Sequence, residues 1–128
     1  MAILEAPTPR RRRRDEAHVR AIESDFTPAV KSLVETLGKG LVAVVVDRDV
    51  KTVTRWMGGA VPRGEEQRRV IDTLQICELL LSGDAPSVVR SWFMGMNPQL
   101  NDANPAEVLA EGRSRDVMAA ARAYANAS

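Results

Sequence analysis

Apolar residues recur with a helical period along most of this chain. Val30, Leu33, Val34 and Leu37 fall at i, i+3, i+4 and i+7, one face of an amphipathic helix. Thr27-Pro28 suits its start, as cap and first turn, and Gly38 with Gly40 suits its end. Beyond Asp49, a sensible N-cap, Val50, Val53, Trp56 and Met57 share a face, while Lys51, Thr52 and Arg55 lie elsewhere around the helix with Thr54 flanking. Gly58-Gly59 stops that helix and Val61-Pro62 redirects the chain. A longer helix is predicted from about Glu65 to Leu81, with Val70, Ile71, Leu74, Cys77, Glu78, Leu80 and Leu81 as a mostly apolar stripe and Arg68, Arg69 and Asp72 toward solvent. Pro86 marks the start of another, carrying Val88, Val89, Trp92 and Phe93.

The run Leu41-Val42-Ala43-Val44-Val45-Val46 opposes this pattern, because local propensity favours a strand. A lone strand would leave its backbone groups without a ladder, and nothing else in the chain supplies a convincing second strand. The segment is therefore read as a short buried helix. The chain as a whole reads all-α.

The stretch from Trp92 to Gly112 is the richest in boundary signals. A helix end carries Trp92, a turn falls at Asn97-Pro98, and Leu100 is an apolar anchor. Asn104 as N-cap, Pro105 at the first helical position and Gly112 past the end delimit a further helix. Ser114 then suits the cap of a terminal helix containing Val117, Met118, Ala121 and Tyr124.

Composition narrows the function classes. At 128 residues the chain is one ordinary domain by the prior of roughly 100–200 residues each, or two very small units sharing a core. Hydrophobic residues make up 45% and aromatics only 4%, so the core is built mainly from aliphatic side chains. The net charge of +1 speaks against a general polyanion binder. Arg10, Arg11, Arg12, Arg13 and Arg14 nevertheless form a concentrated basic block, followed by Asp15 and Glu16. The residues before it, with Pro7 and Pro9, read as a flexible leader, and a short helix is predicted from about Asp15 to Ser24.

No apolar run approaches the roughly 18–20 residues that span a bilayer, and no hydrophobic leader is visible, which implies a cytoplasmic protein. One cysteine, Cys77, allows neither an intramolecular disulfide nor a multi-thiolate metal site. His18 is the single histidine, so the usual zinc and triad constellations lack members. No phosphate-binding glycine motif occurs. The expectation is a protein that is not an enzyme, with no metal and no cofactor.

Two segments carry a family resemblance. With its Trp-x5-Pro and Leu-x4-Pro spacing, the block Trp92–Gly112 resembles the C-terminal toxin-binding domain of Xre/MbcA/ParS-type antitoxins. The segment with Ala43, Val53, Trp56 and Gly59-x-x-Pro62 is similar to the Xre-like helix-turn-helix of the same group, from which Val44–Val46 departs. The resemblance covers roughly residues 28–126. It implies a helix-turn-helix domain over 27–82 and a toxin-binding domain over 83–128, and leaves outside it the flexible arginine-rich arm over 1–26, read from composition as partly helical.

Its functional implications are equally specific. The partner would be a cognate RES-type toxin that consumes NAD, obstructed by the antitoxin's C-terminal region. Arg113, Arg115, Arg122, Tyr124 and Asn126 are the candidate toxin contacts. Operator DNA would be met by Lys51, Thr52, Thr54 and Arg55, with Arg10 to Arg14 as an arm following phosphates. Repression requires paired half-sites, so a homo-oligomer is expected, and a hetero-oligomer with the toxin. Trp56, Trp92, Leu100 and Leu109 are expected in the core. Two rivals stand beside this reading: a standalone transcriptional regulator whose C-terminal domain self-associates, and an adaptor without DNA binding.

Overall fold

A computed structural model describes residues 25–127 of the chain. The arginine block, His18 and the short helix expected over Asp15–Ser24 lie outside the described residues. Every regular element within them is helical. In order these are α1 (25–37), α2 (Lys39–Val46), α3 (Val50–Met57), α4 (Glu65–Leu81), α5 (Pro86–Met94), a 3₁₀ turn (Pro98–Leu100), α6 (Pro105–Ala110) and α7 (Ser114–Asn126).

Helix α1 buries Phe26, Ala29, Val30, Leu33 and Leu37 along one stripe. The chain is already helical at Asp25, so Thr27 is not its cap. Phe26 meets Trp56 of α3 edge-on, with ring centroids 5.6 Å apart, the favoured geometry for aromatic quadrupoles. A single residue, Gly38, separates α1 from α2. Its φ of 84° with ψ of 155° is a backbone conformation open essentially to glycine alone.

Helix α2 contains the valine run. Each β-branched residue costs a helix no more than about 0.7 kcal/mol relative to Ala. Burying a Val side chain contributes roughly 1.5 kcal/mol or more. Val42, Val45 and Val46 are buried, so packing outweighs propensity. The helix lies centrally, against α6 most extensively and also against α3 and α4.

The second half is locked by local hydrogen bonds. Asn97 is buried and organises the loop after α5: its N–H donates to Ala103 O at 3.1 Å, and its carbonyl accepts from Leu100 N and Asp102 N, both at 2.9 Å. The Asn97 side chain accepts from Gln99 N at 2.9 Å. Asn104 Oδ1 accepts from Glu107 N at 2.9 Å and caps α6, with Pro105 behind it. Gly112, with φ 83°, ends the α6 region, and Arg113 N reaches back to Val108 O at 3.2 Å.

Two expectations about α4 and α7 are corrected. Arg69 is buried, not solvent-facing: its guanidinium is paired with Glu65 beside Gly112, and its Nε has no hydrogen-bond partner among the described residues. Ser114 is the first residue of α7 rather than its cap, and its hydroxyl donates to Asp72 Oδ2 of α4 at 3.0 Å. Both corrections have one cause. The α6–α7 turn folds back onto the N-terminal half of α4 and covers side chains that a lone helix would expose.

One core of buried side chains runs from Phe26 to Ala121 and takes in both the 27–82 and the 83–128 segments. Besides α2 on α6, the most extensive packing is α4 on α7. Cys77 is buried in this core, and desolvation, with a smaller contribution from Glu78, pushes its thiol up to about 12. It is a packing residue. No helix among the described residues is long and apolar enough to cross a membrane.

Candidate functional site

Two exposed faces stand out, one on α3 and one formed by α5, the loop after it and α7. The α3 face is prepared by the turn before it. Asp47 takes the left-handed conformation (φ 54°), while its N–H and that of Arg48 close onto Val44 O and Ala43 O at 3.1 and 3.0 Å. Arg48 grips Glu66 of α4 with two hydrogen bonds of 3.0 and 2.6 Å, fixing the turn against the body. This pairing, a hydrogen bond first and charge second, raises the Arg48 pKa.

Asp49 caps α3: its Oδ1 accepts from Thr52 N at 2.9 Å and from Thr52 Oγ1 at 2.7 Å. Those two bonds hold its carboxyl below the usual carboxylate range. Arg55 extends the chain of contacts, donating from Nη2 to Thr52 Oγ1 at 3.2 Å. Thr52 is thus a buried capping partner, not an exposed contact residue, because the N-cap draws its side chain inward. Thr54 is exposed, but its hydroxyl donates to Val50 O at 3.0 Å. Lys51 is exposed and carries no ion pair among the described residues.

Val50 departs from expectation. The sequence pattern placed it inward, whereas it is 45% exposed. The helix packs through Val53, Trp56 and Met57, and Val50 at the first position lies outside that stripe. The outer surface of α3 therefore carries two i, i+4 rows side by side: an apolar row, Val50 and Thr54, and a cationic row, Lys51 and Arg55.

Away from α3, Trp92, Met96, Pro98, Ala123 and Tyr124 line an open groove of about 570 Å³ with no charged residue in its walls. Trp92 was expected in the core, yet it is only partly buried, since one side packs on Phe93 and the other faces this groove. Its ring lies 6.2 Å from Tyr124, tilted by 54°. Beyond Tyr124 lies a second cleft of about 330 Å³, lined by Leu79, Leu80 and Asp84 among others. A hydrogen bond to Asp84 raises the Tyr124 phenol pKa. Of the exposed large apolar side chains, Val88, Met96 and Tyr124 line this groove, with Met96 77% exposed.

The five expected toxin contacts do not form one patch. Arg115, Arg122 and Asn126, spaced i, i+7 and i+11, share the outer face of α7. Tyr124 points the other way, into the grooves. Arg113 precedes the helix and is engaged by Asp116 at 2.9 Å and Glu111 at 3.1 Å, in that order the causes of its raised pKa. Of the expected core residues, Trp56, Leu100 and Leu109 are buried. Sequence reasoning missed Val50, Val88, Met94 and Met96 as surface residues. The available signal was an apolar residue at a helix edge or beside a glycine turn, as in Met94-Gly95-Met96.

No family model matches the sequence, and no curated protein matches it either. Among solved structures, a chain in the crystal structure of the M. tuberculosis MbcT-MbcA toxin–antitoxin complex matches with a TM-score of 0.67 and 25% identity, covering 79% of this chain and 94% of that one. The protein has an all-α, antitoxin-like fold.

Proposed function

We propose that this protein is the antitoxin of a type II toxin–antitoxin system. It neutralises a RES-type, NAD-consuming toxin by covering the toxin's active site, and it represses its own operon by binding operator DNA. The observation that carries the reading is the fold match to a chain of a toxin–antitoxin complex along nearly the whole of that chain. The protein itself is no enzyme in this reading: the NAD chemistry belongs to the toxin, and the antitoxin contributes buried surface. It acts in the cytoplasm.

The groove between Trp92 and Tyr124 supports the toxin half of the reading. An uncharged concave surface with the exposed Met96 in its wall is suited to receive an apolar anchor from a protein partner, because Met adapts its shape at low cost. Arg115, Arg122 and Asn126, on the face of α7 turned away from the groove, are available for separate polar contacts. The DNA half is supported by two eight-residue helices joined by a three-residue turn, with α3 presenting cations outward. Two such units, hence an oligomer, would meet spaced half-sites.

The test is co-expression with the adjacent gene product, capture on a tag, and measurement of NAD loss with and without this chain. A stable complex with suppressed NAD consumption is expected. Absence of both a complex and NAD consumption to suppress overturns the reading for that pair. Truncation after Gly112 is unsuitable as a follow-up, since it strips Val117, Ala120 and Ala121 from the core. Charge reversal at Arg115 and Arg122 and substitution of Met96 leave the core intact.

A further inference from the structure

We propose that Val50 and Thr54 read thymine methyl groups in the major groove, while Lys51 and Arg55 hold the neighbouring phosphates. The proposal rests on the DNA-binding reading above and names the chemistry of its base contact.

Helix α3, with the sequence VKTVTRWM, carries two cations and no acid, so its outer surface complements a polyanion. The acids nearest in sequence, Asp47 and Asp49, belong to the turn before it, and Asp49 is engaged by Thr52. In helix-turn-helix docking the first residues of the second helix meet the base edges. Here the first residue is Val50, half-exposed with no apolar neighbour required by the fold.

The hydroxyl groups of this helix are already committed, while Lys51, in the neighbouring cationic row, has no ion pair among the described residues and is available to a phosphate. Thr52 is buried on Asp49. The Thr54 hydroxyl hydrogen goes to the Val50 carbonyl, which leaves its methyl group and lone pairs for a ligand. Arg55 leans toward Thr52, away from the Val50 row. What remains in that row is an isopropyl and a methyl, adjacent at i and i+4. In the major groove the base feature of matching chemistry is the C5-methyl of thymine. Gly58, one further step along this face, is exposed and carries no side chain to hold the helix off a groove.

The test uses the full chain and a random duplex pool, from which bound sequences are selected. Each thymine of the selected duplex is then replaced by deoxyuridine, which removes only the methyl group. At one or more positions the native chain should lose roughly fourfold in affinity, the worth of one methylene-sized apolar contact. Val50→Ser combined with Thr54→Ser, which removes both apolar groups and keeps the Thr54 hydroxyl, should erase that penalty. Lys51→Ala should instead weaken all duplexes alike and lower the salt slope. Equal binding of thymine and deoxyuridine duplexes by a chain that still binds DNA overturns this proposal alone. So does a penalty that persists in the Val50→Ser, Thr54→Ser double variant. Failure to retain any duplex at low salt overturns it together with the DNA-binding reading.

Discussion

The outer surface of α3 and the groove beneath α7 are both exposed, but they are built in opposite ways. On α3 nearly every polar side chain is held by a neighbour one turn away, through the Asp49–Thr52–Arg55 chain and the Thr54–Val50 bond. That surface is set by local hydrogen bonding within eight residues. The groove has uncharged walls drawn from α5, the loop after it and α7, more than thirty positions apart in sequence between Val88 and Ala123. It exists only because α7 folds back over the core. A rigid, polar-ordered helix suits a repetitive polyanion. An adaptable apolar trough suits one particular protein partner.

The largest expected effect joins the two regions. Leu109→Ala removes a fully buried side chain from the shared core and should cost about 2–5 kcal/mol. Urea unfolding should shift in a single transition, and both partner and DNA binding should fall together. Loss of one with retention of the other would mean that the two faces do not share a folding unit.

Next comes separation of the faces. Met96→Glu introduces charge at the groove on a side chain 77% exposed. Stability should change by no more than about 0.5 kcal/mol, whereas partner affinity should drop by about 2 kcal/mol, as for an interface hot spot. Calorimetric titration against the partner, with a DNA-binding control left unchanged, checks this. Equal losses at both faces would break the distinction.

A smaller effect is expected at Gly112, whose φ of 83° resists a side chain and whose Cβ would lie 3.1 Å from Glu65 Oε1. Gly112→Ala should cost roughly 1–2 kcal/mol through left-handed strain. Because this turn seats α7, partner binding should suffer more than DNA binding. The smallest effect is a pH dependence at Asp49. The two hydrogen bonds from Thr52 hold its folded pKa below the usual carboxylate range, so the unfolded chain binds the proton more readily. The stabilisation is present above the unfolded pKa and lost as pH falls through the folded pKa. Thermal melts of Asp49→Asn, which keeps the cap, should lack this acid-side decline.

Much of the architecture was legible because its causes are local. Asn104, Pro105 and Gly112 delimit α6 by capping, fixed φ and a left-handed exit, none of which depends on distant residues. The helical state of α2 was accessible by elimination, since valines without a partner strand must satisfy their backbone internally. Val50 was misplaced because a helix of two turns has too few apolar residues to define its buried stripe. Trp92 was misplaced because whether an aromatic near a helix end is covered depends on where α7 lies. Arg69 was read as solvated because a cation at a helix edge normally is.

The sequence by itself determined the helical class, most element boundaries, the caps at Asp49 and Asn104, and which side chains could form a core. Those follow from short-range sterics, hydrogen bonding and periodicity. Only the tertiary structure decided that the 27–82 and 83–128 segments share one core, that the Tyr124 side of α7 lines the grooves, and that an uncharged groove opens beside Trp92. Each of these depends on the docking of α6 and α7 against α2 and α4, contacts between residues far apart in sequence that no local pattern encodes.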